Sequence, residues 1–308
     1  MAKMDKIQED LLLQVADIHK VPEGAYSLRI NGQLHGKNST ENVSIVKKED
    51  KPGIDIYVKA GTKNESLHIP VIISQTGLKE LVYNDFHIGE DCDVVIVAGC
   101  GIHNPGDSAS EHSGIHSFYL GKNARVKYIE KHYGKGDGNG ENIMNPTTYA
   151  ELSEGAYREM DTAQIKGVES TDRKTTAMLA DGATLIVKEK IMTHGKQYAR
   201  TEFDVSLDGK DCGTHVISRS VACDNSRQVF ISRVRGNNAC SGHTECDAII
   251  MNDAKVEAIP EIKANHTEAS LIHEAAIGKI AGEQLIKLMS LGLTEKEAEE
   301  EIVSGFLK

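Results

Sequence analysis

The chain has 308 residues, enough for a sizeable hydrophobic core, and its formal net charge is -11 at pH 7. This acidic balance, with no basic face, argues against nucleic acid as a partner, and no apolar run approaches the ~20 residues needed to span a bilayer. Residues 1–6 lack the apolar region of a secretory signal. We therefore expect a cytoplasmic protein, without a nucleic-acid or membrane partner, whose six cysteines stay reduced.

The first part of the chain, residues 1–75, predicts a helix followed by β-strands. Leucine and valine recur at helical spacing within residues 5–19, and Asp5 is in the position of an N-cap. After this helix, apolar and polar residues alternate in three stretches, at 27–30, 44–46 and 54–58. We interpret residues 1–75 as a separate N-terminal segment.

A turn pattern repeats through the middle of the chain. Each copy has an aliphatic residue, a polar turn rich in Gly, Asp or Asn, a small residue, and then an alternating strand. The copies begin at residues 88, 120, 152, 179, 207 and 234, in steps of 27 to 32 residues. A period of this length is typical of stacked supersecondary units, and alternating strands send one face inward and one outward. We therefore expect an all-β-dominated solenoid core over residues 76–262.

The period changes in the last segment, residues 263–308. Residues 281–289 predict a helix that ends at Gly292, and Thr294 with Glu297 forms a capping box that begins a second helix. Two short amphipathic helices suit either a cap on the end of the solenoid or a docking surface for a partner. The periodicity leaves both roles open.

Several enzyme classes lack their motifs in this sequence. There is no P-loop, so we do not expect this chain to bind or hydrolyse ATP itself, and there is no nucleophile elbow or His-Glu-x-x-His motif. A carbohydrate-active β-helix enzyme is an alternative, since acidic residues can supply its catalytic carboxylates. The absence of Trp and an aromatic content of 5% count against it.

One cysteine lies a coil away from a histidine and a glutamate. Cys246 precedes the pair His273 and Glu274 by about the length of one coil, so the three can approach one another at one end of the stack. A thiolate, an imidazole and a carboxylate together can hold iron. That role needs a thiolate that can be reached, whereas a packed core thiol is the alternative for Cys246.

Around these residues the chain resembles the SufB/SufD family of iron–sulfur cluster assembly proteins. The resemblance runs from about residue 70 onward and includes Glu-Cys-Asp-Ala at 245–248 and His-Glu-Ala-Ala-Ile-Gly at 273–278. Its other parts are 98–102, His112, 121–128, 217–222, 258–262, 282–284, 291–293 and 297–306.

The resemblance implies a right-handed parallel β-helix core and a scaffold rather than an enzyme. Family members pair through their β-helices, as a homodimer or with a SufB/SufD paralogue, and work with a sulfur donor system and recipient apoproteins. Their C-terminal helices dock a SufC-type ABC ATPase, which carries the ATPase activity. The residues of this chain that would form the docking surface are Glu283, Gln284, Leu285, Ile302 and Phe306.

The resemblance also implies site residues. Cys246 and Glu274 match a SufB cysteine and glutamate at the pair interface, and His273 matches a histidine that SufD contributes; together they would hold a transient iron–sulfur cluster. Cys100 matches a cysteine proposed as a sulfur entry point. Because one chain carries all of them, a homodimer is favoured. The chain lacks the cysteine-rich N-terminal motif of longer SufB proteins, so a SufD-like structural partner without a cluster remains the alternative.

Overall fold

The structure is a computed structural model that describes residues 4–18 and 22–308. Its main body is a β-solenoid of about eight turns, with short helices near both ends of the chain. Strands of successive coils pair in parallel, and the coils together form two ten-stranded sheets. The prediction of an all-β-dominated fold built on a parallel β-helix is confirmed.

The elements have the following bounds. The helices are α1 (Lys6–Ala16), α2 (Gly282–Ser290) and α3 (Glu295–Phe306). The strands are β1 (Ala25–Ile30), β2 (Gln33–Asn38), β3 (Val43–Lys47), β4 (Gly53–Val58), β5 (Lys63–Ile73), β6 (Lys79–Ile88), β7 (Asp93–His103), β8 (Ser110–Leu120), β9 (Arg125–Lys135), β10 (Asn142–Met144), β11 (Thr147–Leu152), β12 (Tyr157–Lys166), β13 (Ser170–Leu179), β14 (Thr184–Thr193), β15 (Tyr198–Leu207), β16 (Gly213–Ala222), β17 (Arg227–Gly236), β18 (Cys240–Ile250), β19 (Lys255–Ala264) and β20 (Ala269–Gly278).

The two sheets are named here A and B. Sheet A has the order β2-β1-β5-β7-β9-β12-β14-β16-β18-β20, and sheet B has the order β19-β17-β15-β13-β10-β8-β6-β4-β3, with β11 between β13 and β8. Only the outermost pairs at the N-terminal end, β1 with β2 and β3 with β4, are antiparallel among the described strand pairs. The hydrophobic core lies between the two sheets.

The repeated turns have a steric basis. In the middle of five of the six repeated turns, one residue adopts a positive φ, which Gly, Asn and Asp tolerate better than other residues do. These residues are Asp91, Asn123, Gly155, Gly182 and Asp211. The small residue that follows is fully or almost fully buried in every case: Cys92, Ala124, Ala156, Ala183 and Cys212. The small side chain lets the chain enter the next strand against the core.

Alternation along the strands builds the interior. On β15, every second residue from Ala199 to Leu207 is buried, and the residues between them are partly exposed. Because the strands pair in parallel and in register, similar side chains of successive coils lie above one another. The ring centroids of Phe86 and Phe118, for example, are 4.3 Å apart. Each fully buried large apolar side chain contributes about 1.5–3 kcal/mol relative to an exposed one.

The N-terminal helix packs on the outer face of sheet A. The side chain of Asp5 accepts a hydrogen bond from the backbone N–H of Gln8, which confirms the predicted cap, while the predicted end at residue 19 lies outside the described residues. Leu11, Leu12 and Val15 are fully buried against the solenoid. The strands predicted at 27–30, 44–46 and 54–58 are found as parts of β1, β3 and β4.

The solenoid strands continue close to the C-terminal end of the chain. The last strand, β20, falls within the segment 263–308 that the sequence analysis separates from the core, and α2 and α3 follow it. Thr294 and Glu297 form the predicted capping box at the start of α3. Among the described residues, no helix combines the length and the apolar character needed to cross a lipid bilayer.

Candidate functional site

Cys246 lies on β18 with its side chain directed into the solenoid. Thr244, Cys246 and Ala248 face inward, whereas Glu245 and Asp247 between them face outward. The residue is 1% exposed. Burial, together with the nearby carboxylates of Glu189 and Asp247, raises the pKa of Cys246 to about 12. In the single chain the thiol is therefore protonated at neutral pH, so metal binding must displace its proton.

His273 shares the inner face with Cys246. It lies on β20 opposite Thr244, and a hydrogen bond of 2.6 Å joins the Thr244 hydroxyl to His273 Nδ1. Cys246 pairs with Ala275, so His273 is the neighbouring inward residue on the adjacent strand. Burial and then the nearby His243 lower the pKa of His273, and its buried Nε2 has no hydrogen-bond partner among the described residues. The structure thus brings a thiol and a neutral imidazole with a free nitrogen onto one surface.

Glu274 faces the other way. It pairs with Glu245 on the outer face of sheet A, its side chain is 66% exposed, and its Oε1 lies 3.4 Å from Nε2 of His243. Consecutive residues of a β-strand point to opposite faces, so His273 and Glu274 cannot both join Cys246 from the same chain. Within one subunit the sheet itself separates Glu274 from Cys246.

Cys100 lies on β7, near the opposite end of the solenoid from Cys246. It is 1% exposed, and burial followed by the carboxylates of Glu80 and Glu130 raises its pKa well above the ordinary value. Beside it is a cavity of about 20 Å³ that is also lined by His112 and His132. This volume is of the size that holds one water molecule.

A buried line of polar side chains runs from this cavity toward Cys246. The guanidinium of Arg173 donates to Glu130 and approaches Nδ1 of His132 at 3.1 Å, and its Nε is 3.6 Å from Glu189. Ser218 donates to Glu189 over 2.9 Å and is the register partner of Cys246. The solenoid interior is therefore polar along a path that connects the surroundings of the two cysteines.

These interior charges have shifted pKa values. Burial alone would raise the pKa of Glu130, but Arg173, His132 and His116 lower it below its usual range. Burial lowers the pKa of His132 to about 3 and that of His116 to about 4. Burial raises the pKa of Glu189, and Arg173 only partly offsets this effect.

Sequence reasoning missed this interior network, although the sequence carries a signal for it. In β9 the inward-facing residues are Val126, Tyr128, Glu130 and His132. Ionisable residues therefore occupy inward positions of this alternating strand, where apolar residues are expected. A charged residue at an inward position is rarely buried unless it is paired. Arg158 is a further case: it is fully buried, and within the described part of the chain its side-chain nitrogens lack hydrogen-bond partners. Its guanidinium lies 3.7 Å from the centre of the Phe118 ring.

The C-terminal helices present a largely exposed surface. Among the residues assigned to partner docking, Glu283 and Gln284 are exposed, and Leu285, Ile302 and Phe306 are half-buried. The structure adds three exposed apolar side chains near them that the sequence analysis did not assign to docking. These are Ile286 at 68%, Met289 at 42% and Leu291 at 74% exposure.

The last coil of the solenoid is open. Strands β19 and β20 lie at the edges of sheets B and A, and their inward apolar residues Ile262 and Ile277 are 44% and 38% exposed. An edge strand carries unpaired backbone donors and acceptors that suit pairing with another chain. Cys246 lies one strand inside this edge, and His273 lies on it.

Together these features define a β-solenoid protein that carries soft-metal donors on the inner face of its open final coil. Residues 80–306 match the family model described as "SUF system FeS cluster assembly, SufBD core domain". The chain belongs to the SufBD family.

Curated relatives carry the same family name. An iron-sulfur cluster assembly SufBD family protein of Methanocaldococcus jannaschii is 29% identical over 85% of this chain and 83% of its own length. One from Archaeoglobus fulgidus is 29% identical over 88% of this chain and 72% of the relative. For a relative from Methanothermobacter thermautotrophicus the identity is 29% over 77% of this chain, which spans 57% of that longer protein. Family membership supports a role in iron–sulfur cluster assembly.

Proposed function

We propose that this chain is a scaffold subunit on which iron–sulfur clusters are built, with Cys246 and His273 as ligands of the transient cluster. The observation that carries the proposal is that these two side chains share the inner face of the final coil. Thiolate and imidazole are both iron ligands, and replacing a thiolate by an imidazole changes the redox properties of a cluster. Cluster iron is the cargo of this site and is released to recipient apoproteins.

A second copy of the chain, or a paralogue, completes the site in this proposal. The exposed apolar residues and free strand edges of β19 and β20 suit burial against another subunit. Glu274 faces away from Cys246 within one chain, so it reaches the same centre only across a subunit boundary. Sulfur, supplied by a donor system, enters at Cys100 in this proposal.

Energy for the process comes from a SufC-type ABC ATPase that docks on α2 and α3, and this chain binds no nucleotide. The exposed side chains of Ile286, Met289 and Leu291 supply the apolar centre that such an interface needs. All six cysteines are free thiols, which fits a cytoplasmic, reducing environment.

A second candidate function is that of a structural partner that docks the ATPase and holds no cluster. The burial of Cys246 and its raised pKa favour this alternative. A thiol that is buried and protonated is a poor metal ligand unless the structure around it moves to expose it.

Anaerobic reconstitution of the full chain with ferrous iron and sulfide separates the two functions. We expect the visible absorption of a bound cluster in the wild type and its loss in Cys246→Ala. Cys240→Ala is the matched control, since Cys240 is also buried on β18. Circular dichroism and gel filtration should show an unchanged fold and dimer. A normal cluster spectrum in Cys246→Ala refutes the site, and absence of a spectrum in the wild type favours the structural partner.

A further inference from the structure

A second group of metal-type donors lies on the outer face of sheet A. His215 on β16 pairs in register with His243 on β18, and Glu245 is the next outward residue on β18. We call His215, His243 and Glu245 the outer histidine cluster. One donor atom from each of the three lies within 4.8 Å of the other two. The cluster shares no residue with the inward set of Cys246 and His273.

The contacts within the cluster are close. Nε2 of His215 is 2.7 Å from Oε1 of Glu245, and Nδ1 of His243 is 3.8 Å from the same oxygen. The two imidazole rings stack with centroids 4.9 Å apart and an angle of 4° between their planes. This spacing equals the distance between neighbouring strands, so the register of the solenoid sets it. The backbone therefore holds the two rings side by side before any ligand arrives.

His243 has unused binding capacity. Within residues 4–18 and 22–308, neither of its ring nitrogens makes a hydrogen bond, and its Nε2 is buried. Glu274 is the nearest further donor, with Oε1 at 3.4 Å from that nitrogen. Over the same residues, Glu245 forms ion pairs only with the two histidines and none with Lys or Arg. A buried ring nitrogen facing carboxylates that no described Lys or Arg neutralises suits a cation.

We propose that His215, His243 and Glu245 bind one divalent transition-metal ion of the Zn²⁺ or Fe²⁺ type. Imidazole nitrogen and carboxylate oxygen are common ligands for these ions, and two histidines with one or two carboxylates match four-coordinate sites and the 2-His-1-carboxylate arrangement. The side chains are partly exposed, so an ion reaches them without opening the core. The site does not depend on the proposed scaffold function, since it lies on the opposite face of the sheet from Cys246.

Titration of the metal-free full-length chain with Zn²⁺ and with Co²⁺, under reducing conditions without chelator, tests the site. We expect one tightly bound ion per chain. We also expect Co²⁺ to give visible d–d bands without the near-ultraviolet charge-transfer band of a thiolate ligand. Because loss of even an outer partner of a ligand lowers affinity about 10–100-fold, His243→Ala and Glu245→Gln should each weaken binding at least that much. Glu245→Gln keeps the side-chain shape, so it reports on ligation even if His243→Ala disturbs folding.

Two controls make the outcome decisive. His35→Ala changes a histidine on β2, at the far end of sheet A, and should leave binding unchanged. Cys246→Ala should also bind as the wild type does, even if that variant fails to assemble a cluster. Equal binding by wild type, His243→Ala and Glu245→Gln overturns the proposal, and so does loss of the bound ion in Cys246→Ala.

Discussion

Glu130 is a carboxylate held in the middle of the solenoid by positively charged and neutral partners. It accepts hydrogen bonds from Arg173 and from Tyr128, and it is 3% exposed. The interior thus contains a buried ion pair, which is costly to create but also costly to break from one side only. The main effect of Glu130 is to compensate the positive charge of the buried Arg173 guanidinium beside it.

Replacing Glu130 by Gln should destabilise the protein strongly. Of the charged partners of Arg173 among residues 4–18 and 22–308, the substitution leaves only Glu189, at 3.6 Å. We expect the free energy of unfolding to fall by about 3–5 kcal/mol, measured by urea denaturation at pH 7. The control is Glu257→Gln, which removes an exposed carboxylate paired with Arg227 and should change stability by at most about 1 kcal/mol. Equal stability of the two variants would contradict this account.

The pH dependence of wild-type stability follows from the same groups. The pKa of Glu130 is lowered in the fold, so its contribution is complete above the ordinary value of 4.5 and is lost as the pH falls through its folded pKa. The folded pKa values of His132 and His116, about 3 and about 4, are lowered from 6.5, so protonation of these groups favours unfolding below pH 6.5. Both effects have the same sign and weaken the fold on acidification.

At the scale of elements, helix α1 depends on the glycines of strand β7. A Cβ atom at Gly99 would lie 2.8 Å from the carbonyl oxygen of Val15 and 2.6 Å from that of Lys131. Glycine therefore lets the helix rest directly on the outer face of the strand whose inner face carries Cys100. The Gly-Cys-Gly sequence at 99–101 combines a helix-docking surface on one side with a buried thiol on the other.

Gly99→Ala should loosen α1. The added methyl group meets backbone atoms that cannot move aside easily, and overpacking of this kind costs about 1–3 kcal/mol. We expect faster hydrogen exchange of the amides in Lys6–Ala16, together with a lower unfolding midpoint. The matched control is Gly278→Ala on β20, where an added Cβ meets no atom of the described residues within 4 Å. Unchanged exchange in α1 of the Gly99 variant would show that the helix is not held by this contact.

At the scale of the whole molecule, the sequence predicts the solenoid because its repeats are local. Turns such as 120–124 and 179–183 need a positive φ and then a small residue, and both requirements are visible in the residue types. The site around Cys246 is harder to predict from the sequence, since it depends on which face of a strand each residue occupies. The register of β18 with β20 is needed to show that His273 lies on the same inner face as Cys246, whereas Glu274 lies on the outer face beside His243.

Helices α2 and α3 follow the solenoid coils and are not part of them, so they can be removed without removing a strand. Deleting residues 282–308 removes α2 and α3 but no strand, so the β-rich circular dichroism should persist. The same deletion removes the exposed apolar residues Ile286, Met289 and Leu291, and we expect it to abolish binding to the proposed SufC-type ATPase partner in a pull-down with the purified proteins. The double variant Ile286→Asp and Leu291→Asp should weaken binding in the full-length chain, whereas Lys296→Ala, on the exposed start of α3, should not. Binding retained by the deletion would place the docking surface on the solenoid itself.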